Sequence, residues 1–170
     1  MKYITEIKPD PITEIEIINL FSNGNDSQMG SEFVRVKDSL SYKPIVNLKI
    51  QSDYSPTFKQ SDTLNDILLI GYGERFAMFD LNKREKITEL HFDGYFGEFK
   101  VNGDDIFIAT DCELINLTLD GQTKWKTNNL GLDGVIIGKI SSSEITGSGE
   151  WDPPGGWESF IVDRNTGLKK

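Results

Sequence analysis

With 170 residues, of which 37% are hydrophobic and 11% aromatic, the chain can bury a core without metals or disulfides and is too apolar to be disordered. Eighteen basic against 27 acidic residues leave a net charge of −9. Such a surface repels phosphate backbones and anionic lipids, so neither nucleic acid nor membrane is expected as a partner, whereas encounter with a basic protein is favoured.

In chain order, residues 1–44 read as N-terminal strands and a loop. Ile12-Thr13-Glu14-Ile15-Glu16-Ile17 alternates strictly and Phe33-Val34-Arg35-Val36-Lys37 is a second strand candidate, with the polar stretch Ser22–Ser31 between them a turn or mobile loop. From residue 45 onward a unit of about forty residues recurs, the signature of short-stranded meander units. Val46–Ile50, Gly97–Val101 and Ile136–Ile140 align as strand A, and Ile67–Gly71, Ile106–Thr110 and Ile145–Gly149 as strand B. The repeats span 45–92, 96–130 and 135–170. Strand C is Phe76–Asp80, Leu114–Leu119 or Glu158–Asp163, and strand D is Lys86–Phe92 or Thr123–Asn128. The Asn102-Gly103 pair suits a tight hairpin, since both residues tolerate positive φ. Gln51–Asn65 is polar, contains Pro56 and reads as a loop inserted in the first repeat.

The third repeat reaches Lys170 before a full strand D, which leaves an edge to be covered. The N-terminal segment Ile12–Phe21 is the candidate to pair beside it. The expectation is one all-β domain, an antiparallel meander of about three blade-like units, either a partial propeller or a β-sandwich, with N-terminal strands completing an edge. A monomer or weak dimer is expected.

One segment departs from the regular repeat. Glu150-Trp151-Asp152-Pro153-Pro154-Gly155-Gly156-Trp157-Glu158 occupies the place of a short B-to-C turn. Prolines stiffen it, glycines permit a sharp reversal, and two tryptophans beside carboxylates offer large contact area at low entropic cost. The candidate partner-binding residues are Glu150, Trp151, Asp152, Trp157 and Glu158 together with Asp104, Asp105, Asp111 and Glu113. The competing reading makes Trp151 and Trp157 a plug folded back on the sheet. The turn acids Asp104, Asp105, Asp111, Glu113 and Asp133 lack the regular spacing of a Ca²⁺ loop and read as solvated turns.

Catalytic constellations are missing. Cys112 stands between Asp111 and Glu113, which raise a thiol's pKa rather than activate it, and as the single cysteine it forms no intramolecular disulfide. The single His91 argues against a histidine metal site and removes the usual hydrolase base. Gly71-Tyr72-Gly73 lies in a hairpin and precedes no helix, so it is no phosphate loop. No cofactor or metal is expected. Met1–Glu6 carries no apolar run of signal-peptide length and no segment approaches the ~20 apolar residues of a membrane span, so a cytoplasmic location is expected.

Asp163-Arg164-Asn165-Thr166-Gly167, and in part Leu119-Asp120-Gly121 and Phe79-Asp80-Leu81-Asn82, resemble the turns of quinoprotein-type β-propeller blades. The resemblance implies blade geometry alone, because the family's cofactor site needs a complete ring. Gly149–Trp157 resembles a motif of small uncharacterised bacterial proteins, some of them similar to immunity proteins of contact-dependent or polymorphic toxin systems. That implies a non-catalytic immunity protein neutralising a basic toxin effector. The alternatives are a carbohydrate-binding module and a glycoside hydrolase working through paired carboxylates.

Overall fold

The computed structural model describes residues 2–21, 30–53, 55–152 and 154–170. These hold fifteen strands in four sheets and no helix, so the fold is all-β and mostly antiparallel. Two compact units, Met1–His91 and Phe92–Lys170, contain two sheets each.

In the first unit, β1 (Tyr3–Lys8), β2 (Ile17–Asn19), β3 (Gly30–Asp38) and β4 (Pro44–Ser52) form a sheet in the order β1-β3-β4-β2. Val46–Ile50 therefore belongs to this sheet and is not strand A of the first repeat. The alternating Ile12–Ile17 is not a strand, and Ile12–Phe21 does not pair beside the third repeat: only Ile17–Asn19 is extended, parallel to β4. The cause is local. Glu14 adopts φ +66°, and the fully buried Asn47 takes up the backbone of the segment. Its Oδ1 accepts from Ile12 N–H at 2.9 Å and its amide donates to the Ile12 and Ile15 carbonyls at 3.0 and 3.3 Å. One buried amide thus outweighs a period-2 pattern. In the stretch Ser22–Ser31, residues 22–29 lie outside the described residues.

The second sheet is a regular meander of β5 (Lys59–Leu64), β6 (Ile67–Tyr72), β7 (Arg75–Asp80) and β8 (Glu85–His91). Here the expected loop Gln51–Asn65 contains strand A itself. Lys59–Leu64 pairs with β6 at every residue. Its polar side chains suit a seam held by hydroxyls: Ser61 Oγ donates to Thr5 Oγ1 at 3.0 Å, and Thr5 Oγ1 donates to the Ser61 carbonyl at 3.2 Å. The pairing Leu64↔Ile67, set against Asn102↔Asp105, also moves the first repeat by one residue. Leu68, fully buried, stands where Ile106 and Ile145 stand. A core of Val34, Leu48, Ile50, Leu68, Ile70 and Phe79 joins the two sheets.

In the second unit, β9 (Phe96–Asn102), β10 (Asp105–Thr110), β11 (Leu114–Thr118) and β12 (Thr123–Thr127) repeat that meander. The expected hairpin is formed, but its turn residues are Gly103 and Asp104: Asn102 pairs with Asp105 at the end of β9, and of the Asn-Gly pair only Gly103 takes positive φ, +65°. The last sheet has three strands, β13 (Val135–Ile140), β14 (Glu144–Glu150) and β15 (Trp157–Asp163). The aspartate turns of the first and third repeats work as the repeat implies, but in the second Thr118 holds that position and its Oγ1 accepts from Gln122 N–H at 3.0 Å. Asp163 Oδ1 accepts from the Asn165 and Thr166 amides at 3.0 Å, and Asp80 Oδ1 from those of Asn82 and Lys83 at 2.9 Å. Phe107 and Trp125 of the third sheet pack against Ile137, Ile145, Phe160 and Val162 of the fourth. Arg164 locks this contact: it donates to Asn102 Oδ1 at 2.8 Å, the Ser141 carbonyl at 2.9 Å and Asp105 Oδ2 at 2.9 Å.

A buried ionic network ends the β6–β7 hairpin of the first unit. Ser52 Oγ donates to Glu74 at 2.7 Å, Arg75 Nε donates to Glu74 at 3.0 Å, and Arg75 Nη1 reaches Glu89 at 2.8 Å. Burial pushes the Glu74 carboxyl up, but the bonds from Ser52 and Arg75 outweigh it and leave it below its ordinary value. Removing one partner from such a pair costs far more than removing both. Arg75→Leu is therefore expected to lower stability in urea denaturation by about 3 kcal/mol, and Glu74→Leu with Arg75→Leu by clearly less.

Candidate functional site

The site is built where β10, β13, β14 and β15 meet their connecting turns. Thr110 Oγ1 accepts from the Cys112 and Glu113 amides at 3.3 and 3.0 Å and fixes the turn after β10. A backbone relay then joins the two sheets of this unit. Asp111 N–H donates to the Tyr95 carbonyl at 3.1 Å, Gly134 N–H to the Asp111 carbonyl at 2.7 Å, and Glu150 N–H to the Gly134 carbonyl at 2.9 Å. The Tyr95 hydroxyl closes the group by donating to the Asp133 carbonyl at 2.5 Å. Burial first, then the neighbouring carboxylates of Asp133, Asp111 and Glu150, push the phenol from 10 up to about 12.

The aromatic loop springs from this base. Glu150 Oε1 accepts from Gly155 N–H at 2.6 Å, and Trp151 N–H donates to the Gly156 carbonyl at 2.8 Å. The loop is thus fastened across its own neck; Pro153 lies outside the described residues. The two tryptophans differ. Trp151 is half-buried with the Lys169 ammonium 5.8 Å from its ring centre. Trp157 rests an edge on the Gly134 backbone and remains 43% exposed.

Of the candidate residues, the structure gathers Glu150, Trp151, Asp152, Trp157 and Glu158 around the loop, Asp152 and Glu158 being exposed. Asp111 and Glu113 lie in the turn joined to it through Gly134, but the Asp111 carboxylate packs under Gly94 and Glu113 pairs with Lys126 at 2.6 Å. Asp104 and Asp105 do not join the group. Asp105 opens β10 and Asp104 lies in the turn before it, whereas Asp111 follows the strand's other end, roughly 20 Å away. Asp105 is engaged by Lys124 and Arg164; burial pushes its carboxyl up, but those bonds hold it below the ordinary range. That is the opposite of what a general acid requires. Burial, with Asp111 and Glu113, pushes the Cys112 thiol up to about 11, the direction its neighbours imply. Among the described residues no three His, Cys, Asp or Glu side chains converge as metal ligands would.

Sequence reasoning missed the outer face of the last sheet. Ile136, Trp157 and Ile161 are exposed there, at 47, 43 and 41%. Ile136 and Ile161 border a shallow groove of about 410 Å³ floored by Gly138, Thr146, Ser148 and Ser159. Alternation along β13, with Val135 and Ile137 buried, carried the signal for Ile136.

No family model and no curated protein matches the sequence. Solved structures do. The WD40 domain of Neurospora crassa Pan2 is 16% identical, matching 81% of this chain and 44% of its own with a TM-score of 0.51. For the WD40 domain of Toxoplasma gondii coronin the values are 14%, 78%, 38% and 0.58. For BamB from Moraxella catarrhalis they are 14%, 75%, 39% and 0.51. The chain spans about two fifths of the length of these structures, and the likeness establishes the fold: the sheets are propeller-type blades.

A phenol with a raised pKa binds its proton more tightly folded than unfolded. Its contribution to stability is present below pH 10 and is lost as pH rises through about 12. Tyr95→Phe is expected to flatten the fall of stability between pH 10 and 12, measured by urea titration, relative to the parent chain.

Proposed function

We propose that this chain is a non-catalytic protein-binding module for a basic protein, and that the partner is a toxin effector which it neutralises in the cytoplasm. The observation that carries the reading is the pairing of an exposed tryptophan with unneutralised acid. Trp157 stands 43% exposed where β15 leaves a loop braced by Glu150, with the exposed Asp152 packed at the neighbouring Gly156 and the exposed Glu158 next along the strand, on its other face. A net charge of −9 steers a basic partner toward the chain, and a large aromatic slows its departure once desolvated. The half-buried Trp151 serves as the loop's anchor rather than its contact. Propeller blades suit such work, since their connecting loops present side chains from a rigid frame.

The test is calorimetric titration of the chain with the basic partner that copurifies from its native host. Trp157→Ala is expected to weaken binding by about 2 kcal/mol, roughly thirtyfold, with the melting temperature kept. Added salt is expected to slow association. Unchanged binding with a lowered melting temperature would make the loop a structural plug and overturn the reading.

A further inference from the structure

We propose that the turn between β3 and β4 is a docking knob: its exposed Leu40 and Tyr42 enter an apolar pocket of a protein partner, and a carboxylate at the rim of that pocket answers Lys43. This turn belongs to the first unit and the Trp157 loop to the second, so each can be removed without the other. The turn is one the chain uses elsewhere. Asp38 Oδ1 accepts from the Leu40 and Ser41 amides at 3.1 and 2.7 Å and from the Ser41 hydroxyl at 2.8 Å. Tyr42 N–H then closes the turn on the Asp38 carbonyl at 2.9 Å. Asp80 and Asp163 hold the corresponding two amides, and Arg84 and Gly167 N–H close on the carbonyls of those aspartates, each at 2.8 Å. Counted from the aspartate, Leu40 stands where Asn82 and Asn165 stand, and Tyr42 where Arg84 and Gly167 stand.

That comparison shows what the turn does not need. Its closing position takes positive φ: +71° at Gly167, +59° at Arg84 and +55° at Tyr42. Left-handed backbone costs a bulky side chain what glycine is spared. Arg84 puts the position to use by pairing with Glu16. Tyr42 has no such contact: its side chain is 68% exposed and meets no hydrogen-bond or ring partner among the described residues. Leu40 is 90% exposed where the other turns carry asparagine. The fold accounts for neither residue, and backbone strain that packing does not explain collects at functional positions. Because Asp38 already fixes the turn, little backbone ordering is left to do on binding.

Charge says what the occupant carries. Lys2 pairs with Asp66, Lys37 pairs with Glu6, and the Asp38 carboxylate is spent on its own turn. Lys43, next to Tyr42, is exposed and makes no ion pair among the described residues. The charge left to answer is therefore positive, in a chain of net −9, and a carboxylate fits it. A bilayer fits poorly. Leu40 and Tyr42 offer fewer apolar carbons than a single myristoyl chain, which itself anchors only marginally, and the net charge repels anionic lipid. A protein pocket desolvates both side chains and keeps the lysine at its wet rim.

The probe is carboxymethyl-β-cyclodextrin, an apolar cavity with an acidic rim, with amino-β-cyclodextrin as its charge inverse, each titrated to millimolar concentration into the ¹⁵N-labelled chain. The acidic host is expected to shift the Leu40, Tyr42 and Lys43 amides with several-fold preference over the amino host, against the sign of the chain's net charge. Lys43→Glu is expected to invert that preference, and Leu40→Asn with Tyr42→Gly to abolish the shifts. Tyr42→Gly alone is expected to keep or raise the melting temperature, since glycine suits the left-handed position. A lowered melting temperature would make Tyr42 structural and overturn the proposal. So would equal response to both hosts, a response of these amides to phosphatidylcholine–phosphatidylserine vesicles in place of the hosts, or a dimer in sedimentation that Tyr42→Gly dissolves. In the native host, a benzophenone photocrosslinker carried at position 42 is expected to give a protein adduct that Leu40→Asn and Lys43→Glu remove and Trp157→Ala keeps. An adduct with the opposite dependence would leave the loop reading standing and sink this one.

Discussion

The governing constraint in this molecule is that every backbone donor and acceptor removed from water must find a partner. Meandering hairpins meet it strand by strand, and their tight turns decide the register. The two-residue Gly103-Asp104 turn sets Asn102 against Asp105, and every pair from Ile106 to Ala109 follows from it. With register set, the faces are set. Phe107 and Trp125 come to one side of their sheet, where Phe160 and Val162 meet them. The same constraint explains the relay from Tyr95 through Asp111 and Gly134 to Glu150, which spends backbone groups at the ends of strands on holding one blade to the next.

The repeat was legible because it is written in features with strong local physics. Aspartate side chains that bind amides two and three residues ahead leave a sequence trace, and so do alternating apolar strands. What escaped is structure held by tertiary polar contacts. Lys59–Leu64 has the composition of a loop, and its strand identity comes from β6 on one side and the Thr5 hydroxyl on the other. Ile12–Ile17 has the pattern of a strand, and Asn47, distant in sequence, claims its backbone. In both places the deciding partner lies far along the chain, beyond the reach of any window.

The candidate site divides in the same way. Two tryptophans within a proline-stiffened insertion mark a departure from the repeat that sequence alone displays. Their unequal surroundings come from Lys169 and Gly134, which only folding brings beside them. Asp105 looked interchangeable with Asp152 as an exposed acid, yet Arg164 from the last turn commits it to structure. Glu158 is the reverse case. It lies within a strand, where a structural role would be the first expectation, and it stays exposed.

The seam between β1 and β5 carries a thermal consequence. Its meeting side chains are Thr5 and Ser61, so opening it exposes hydroxyls and peptide groups more than hydrocarbon. Apolar exposure raises heat capacity and polar exposure lowers it, so this seam opens with a small heat-capacity change. Its free energy then varies gently with temperature, while the apolar interface of Phe107, Trp125 and Phe160 follows the steeper curvature of hydrophobic burial. Cooling therefore weakens the apolar interface of one unit more than the hydroxyl seam of the other.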